Sequence, residues 1–157
     1  DGENVAMSVA VKTTDERIFI EGIDCRPMRE GIEWILRYLT AWDCEKVVVD
    51  GANGQTILET QMKEYRLKKP LLPTVKEVID ASAVFEQALF KRSICHAGQK
   101  SMLQSASNCE KRAIGTNGGF GYRSIKEGIE VAILESAILA HWQCAKKKET
   151  KRQRASY

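Results

Sequence analysis

No apolar run in this 157-residue chain is long enough to cross a bilayer; residues 131–140, the longest, are broken by Glu135 and Ser136. No charged-then-apolar leader opens the chain, so no signal peptide is expected. The first residue is Asp1 rather than Met, which reads as a fragment or processed piece. The five cysteines are an odd number, scattered and without C-x-x-C spacing, which argues against a disulfide framework or a structural zinc site and for reduced thiols in a cytosolic protein. Only two histidines occur, His96 and His141, in no metal or dyad pattern; His141 lies in an apolar helical run and reads as a packed core residue. The pattern G-x-x-x-x-G-K-[ST] is absent, excluding a P-loop nucleotide cradle. No Ser/His/Asp or Cys/His arrangement stands out, and small-molecule catalysis in a pocket is unsupported.

What is present is an ordinary globular composition, 43% hydrophobic and 29% charged, of a length that suits one domain. The net charge of +3 is unevenly placed. Residues 145–157 hold Lys146, Lys147, Lys148, Lys151, Arg152 and Arg154 against Glu149, so the rest of the chain is slightly acidic. Residues 1–144 read as one domain and 145–157 as a basic, disordered tail. Such a tail either contacts a polyanion through its phosphates or is simply solvated.

Two β-strand patterns, residues 5–11 and 17–23, flank a short turn and predict an antiparallel hairpin. Ile32, Ile35, Leu36 and Leu39 form the stripe of an amphipathic helix ending near Trp42. The run Lys46-Val47-Val48-Val49-Asp50-Gly51 predicts a central, parallel-type strand buried on both faces. A helix over 55–65 with Ile57, Leu58, Met62 and Tyr65 inward, a short strand at Leu71-Leu72, and a helix capped by Thr74 and Glu77 follow. Residues 93–96 suggest a short strand and 99–108 a helical piece. Residues 115–121 read as a flexible, irregular loop. The last helix, over 128–144, is apolar nearly all round and therefore buried. The fold class is α/β, a mixed sheet flanked by helices.

Asp50 is the first candidate for chemistry, because open α/β sheets place their sites at the carboxyl ends of strands; with Gly51 it equally suits a turn. Glu130 is the second, a carboxylate in an apolar run, costly to bury unless paired or metal-bound; it equally suits a wet first helical turn. Glu135 is expected on a different face. Acids from two elements can converge on divalent cations, which activate water in phosphodiester hydrolysis. Gly119-Phe120-Gly121-Tyr122-Arg123 and Lys111-Arg112 suit contact with a nucleic-acid backbone, or else form an ordinary surface.

Across residues 47–142 the sequence resembles the C-terminal nuclease domain of tailed-phage terminase large subunits. The matching stretches are Val48-Val49-Asp50-Gly51, Pro73-Thr74-Val75-Lys76-Glu77, His96-Ala97-Gly98-Gln99, Lys111-Arg112-Ala113-Ile114-Gly115 and the helix from Glu130 to Trp142. The resemblance implies an RNase H-like mixed sheet and a Mg²⁺- or Mn²⁺-dependent, two-ion endonuclease cutting concatemeric double-stranded DNA. Asp50 and Glu130 (usually Asp in that family) would hold the ions. Lys111, Arg112, Arg123, Lys146, Lys147 and Lys148 would meet DNA. The implied partners are an ATPase domain upstream in the same polypeptide, the phage portal protein and the small terminase subunit, in the host bacterial cytoplasm. The family's first strand, with a further metal-binding Asp, precedes a tight turn; Asp1-Gly2 resembles that turn, so this strand is expected upstream or missing, leaving a sheet position unpaired. A noncatalytic DNA-binding or portal-docking module, from a degenerate prophage terminase, is the alternative. Another RNase H-like enzyme, a recombinase or junction resolvase, is a third reading.

Overall fold

A computed structural model describes residues 3–51 and 54–146. Strand β1 (Asn4–Lys12) turns at Thr13 and returns as β2 (Ile18–Pro27), antiparallel, with Val11 opposite Phe19 and Asn4 opposite Pro27. Thr13 closes the turn through its main chain and hydroxyl, both bonded to Arg17. A bulge interrupts the ladder: Met7 faces Asp24 but Ser8 faces Gly22, so Ile23 is the extra residue. After a 3₁₀ turn (Met28–Glu30) comes α1 (Glu33–Ala41), whose stripe of Ile35, Leu36 and Leu39 is buried together with Ile32, as the periodicity requires.

Helix α2 (Gln55–Glu64) buries Leu58 and Met62, but Ile57 and Tyr65 are about half exposed, at 53% and 51%. The inner face is thus narrower than the sequence pattern suggests: Leu58 and Met62 share a face at i, i+4, whereas Ile57 is turned about 100° from Leu58. Helix α3 (Val75–Phe90) starts at the expected capping box, Thr74 accepting from the Glu77 N–H and Glu77 accepting from the Thr74 N–H at 2.8 Å. Strand β3 (Ile94–Cys95) pairs parallel with β2 at Ile18 and Phe19, giving the order β1-β2-β3. Helix α4 (Lys100–Ser107) follows.

The glycine-rich stretch is regular, contrary to its expected flexibility. Strands β4 (Cys109–Ile114) and β5 (Gly119–Ser124) form an antiparallel hairpin, with only 115–118 as its turn. Gly115 and Gly118 have positive φ there (69° and 77°). Gly119 serves close approach instead: a Cβ on it would lie 2.6 Å from Ile79 Cδ1 of α3. Helix α5 (Ala132–Ala145) starts four residues later than the apolar run suggests and buries Ile133, Leu134, Ala137, Ile138, His141 and Trp142.

Two apolar clusters lie on opposite sides of the strand layer. Ile18, Ile20, Ala81, Phe85 and α5 form one, joined by Ala6 and Ala10 of β1. Helices α1 and α2 form the other, joined by Val5 and Met7 from the opposite face of β1. The expected central strand at residues 46–51 contracts to a single parallel bridge, Val48 to Leu71, yet its alternation is intact: Val48 packs on the first cluster, Val47 and Val49 on the second. It lies in the same layer as β1. Among the described residues no strand pairs with the other edge of β1, and the main chain of residues 47–49 pairs with main chain at Leu71 alone. Of the expected tail, residues 145–157, Ala145 is the last residue of α5 and Lys146 its C-cap; residues 147–157, like the Asp1-Gly2 turn, lie outside the described residues. Among the described residues no helix is long and apolar enough to cross a membrane.

Candidate functional site

Asp50 is exposed, at the carboxyl end of the bridged segment. The Gly51 carbonyl accepts the N–H groups of Gly54 and Gln55, and the Gln55 side chain donates to the Val49 carbonyl at 3.0 Å, so the chain turns directly from Asp50 into α2. Asp50 is thus both a turn former and a carboxylate held at the end of a strand-like segment.

Glu135 stands in the first turn of α5, half-buried. Burial holds its carboxyl above the usual carboxylate range, Arg112 pulls it back, and the charge of Asp50 adds the smallest push upward. The next residue, Ser136, fixes this end of the helix to β1: its hydroxyl lies 2.6 Å from that of Ser8, which also donates to the Ile133 carbonyl. Glu130 sits before the helix and outside that group. Its main-chain carbonyl accepts from buried Ser105 at 2.5 Å, and it shares a cleft with Asp24, Gln99 and Gln104. Glu135 was within reach of sequence reasoning: an acid in the middle of a helix apolar nearly all round has to be at least half-buried, more so than one preceding it.

Carboxylates that share a site are relieved by a cation between them. Mg²⁺ is bound by few protein carboxylates, completing its shell with water and phosphate oxygens, so exposed Asp50 and half-buried Glu135 are candidates for such a site rather than an assembled one. Among the described residues, no three His, Cys, Asp or Glu side chains gather into a fuller set.

The cations singled out in the sequence cluster on the β4–β5 hairpin. Lys111 bonds Glu86 of α3 at 2.5 Å and lies 4.3 Å from the Phe120 ring centre. Arg123 grips Glu110 across the hairpin at 2.6 Å. Among the described residues Arg112 has no carboxylate at salt-bridge distance; its Nε donates to the Tyr122 carbonyl at 3.3 Å. Burial and the charge of Glu86 push the Tyr122 phenol up to about 12, so it stays protonated at neutral pH. Exposed pairs such as Lys111–Glu86 and Arg123–Glu110 contribute at most about 1 kcal/mol, so phosphates can displace the carboxylates. Lys146 lies 3.8 Å from the Trp142 ring centre, and Lys147 and Lys148 fall outside the described residues. Comparison with protein-family models, curated proteins and solved structures finds no match.

Proposed function

We propose that this chain is a metal-dependent endonuclease domain of the phage-terminase type, with an RNase H-like sheet, acting on double-stranded DNA in the host bacterial cytoplasm. The observation that carries the reading is the exposed carboxylate of Asp50 at the end of the Val48 bridge, where the chain leaves the strand layer for α2; half-buried Glu135 on α5 is the second acid, on which Asp50 acts weakly. Asp50 and Glu135 are the acids we propose to hold Mg²⁺ or Mn²⁺, set beside the pair Asp50 and Glu130 that the resemblance implies. When bound, the ions supply a water acidic enough to attack phosphorus and neutralise charge on the scissile phosphate. Asp50, exposed, orients its carboxylate toward solvent and the incoming backbone. Glu135, fixed by the α5–β1 contact, gives the site its rigid side. Arg112, lacking a carboxylate partner, is the first hairpin cation to meet a phosphate, with Lys111 and Arg123 after it. A strand lying between β1 and residues 47–49 would complete the layer and bring the further carboxylate that the resemblance implies. The upstream ATPase domain, the portal protein and the small terminase subunit are the partners that go with this reading.

The test is nicking of supercoiled plasmid in Mn²⁺ by this chain and by an upstream-extended version, each with Asp50→Asn. Cleavage by the extended wild type that Asp50→Asn abolishes is the expected result. Salt-sensitive DNA binding with no cleavage by either version would instead favour the noncatalytic DNA-binding or docking module.

A further inference from the structure

The cleft that holds Glu130 lies away from the proposed nuclease site and is built along the edge of a strand. On its outer edge β2 pairs with β3 only at Ile18 and Phe19. Beyond that point, side chains stand where a neighbouring strand would be. Gln99 accepts from the Gly22 N–H at 2.7 Å and donates to the Gly22 carbonyl at 2.9 Å, reproducing the pairing of a peptide group. The Asp24 carboxylate accepts the Cys25 N–H at 2.8 Å. Past Gln99 the strand edge at residues 23–25 forms one wall of a cleft of about 400 Å³, and Ser101 and Gln104 of α4 form the other. A strand edge facing a helix across a cleft is the arrangement in which an extended peptide adds to a sheet.

Charge selects the occupant. Asp24 and Glu130 both act on Cys25 between them, adding to the burial that pushes its thiol up. Asp24 is already bonded to Arg26, whereas Glu130 makes no salt bridge among the described residues. Glu130, the carboxylate without an ion pair among the described residues, attracts a basic side chain and repels a phosphate backbone, so the surface fits protein rather than nucleic acid. The Ile23 bulge lies at the same place and breaks the alternation of β2 there.

We propose that the cleft between β2 and α4 is a docking site for an extended segment of a partner protein, which continues the pairing of β2 beyond Gly22 and places a Lys or Arg side chain against Glu130. This is independent of the nuclease reading.

The probe is a blocked, fluorescein-labelled peptide of alternating valine and lysine, six residues long, followed by anisotropy and by amide shifts of the ¹⁵N-labelled chain. Saturable binding is expected, with shifts concentrated at Gly22–Arg26 and on α4. Replacing the peptide lysines with glutamate should abolish it. Glu130→Gln should weaken it about fivefold, the scale of one charge pair. Gln104→Trp, at an exposed helix position that tolerates a large residue without refolding the core, should weaken it about tenfold or more by filling the cleft. Thermal melts confirm that both variants are folded. The proposal is overturned by the absence of saturable binding, by equal binding of the glutamate peptide, by shifts centred on the free edge of β1 or on the hairpin, or by wild-type affinity in both variants.

Discussion

Replacing Glu135 by Gln should make the protein more stable and less able to bind a divalent cation. Burial and Asp50 hold the folded-state pKa of Glu135 above the unfolded value of 4.5. A group raised in this way is easier to protonate in the fold, so at neutral pH the folded chain carries an unfavourable charge that the unfolded chain carries freely. The penalty is complete above the folded pKa, declines as pH falls through it, and is absent below about 4.5. Each pKa unit is equivalent to about 1.4 kcal/mol. Gln keeps the shape and loses the charge, so a rise in Tm at pH 7 is expected, of about 2–4 °C, the scale of a single stabilising substitution in a domain of this size rather than a conversion of the pKa shift. Melts of wild type and Glu135→Gln from about pH 4 to pH 8 measure it, the two curves converging at the acid end. The gain should shrink in an Asp50→Asn background, because part of the penalty is their mutual repulsion. Millimolar Mg²⁺ should raise the Tm of wild type and leave the variant unmoved. A Glu135→Gln variant destabilised equally at every pH would refute the reasoning, since it would make Glu135 a structural hydrogen-bonding residue.

Other expectations come from single contacts. Gly119→Ala forces its Cβ against Ile79 and the Ile114 carbonyl, so a loss of about 1–3 kcal/mol is expected in denaturant titrations, with the hairpin lifted from α3. Thr74→Ala removes the cap of α3 and should lose about 1 kcal/mol in the same titration while leaving metal binding intact. Buried His141 has no partner at Nδ1, and burial lowers its pKa below the ordinary 6.5. The unfolded chain therefore takes up the proton first, and stability should fall as pH drops below about 6.5, with a shallower slope in His141→Phe. Arg112→Ala should weaken duplex binding and reduce its salt dependence by about one phosphate contact, measured by anisotropy across a salt series.

The elements with a clean period were legible in the sequence. The β1–β2 hairpin, the α1 stripe, the Thr74–Glu77 capping box and the buried character of α5 each follow from local pattern, and each is where that pattern puts it. The glycine-rich hairpin was not legible, because Gly119 and Gly121 are explained by Ile79 and Ile114, neighbours that only the fold brings close, and only Gly115 and Gly118 serve the turn. Residues 46–51 have the composition of a central strand but one bridging partner, and pairing is a property of neighbours rather than of the segment. Asp50 was identified from its place after an apolar run. Glu130 precedes α5, which begins at Ala132, so the relative placement of Glu130 and Glu135 does not follow from helical spacing.

The central claim is that Asp50 and Glu135 together hold a divalent cation. Titration of Mn²⁺ into the chain, followed by the loss of its free-ion electron paramagnetic resonance signal, tests this without requiring DNA or turnover. The account predicts binding by wild type and by Glu130→Gln, and its loss in Asp50→Asn and in Glu135→Gln. Binding that survives both of those substitutions, or that disappears only in Glu130→Gln, would contradict it.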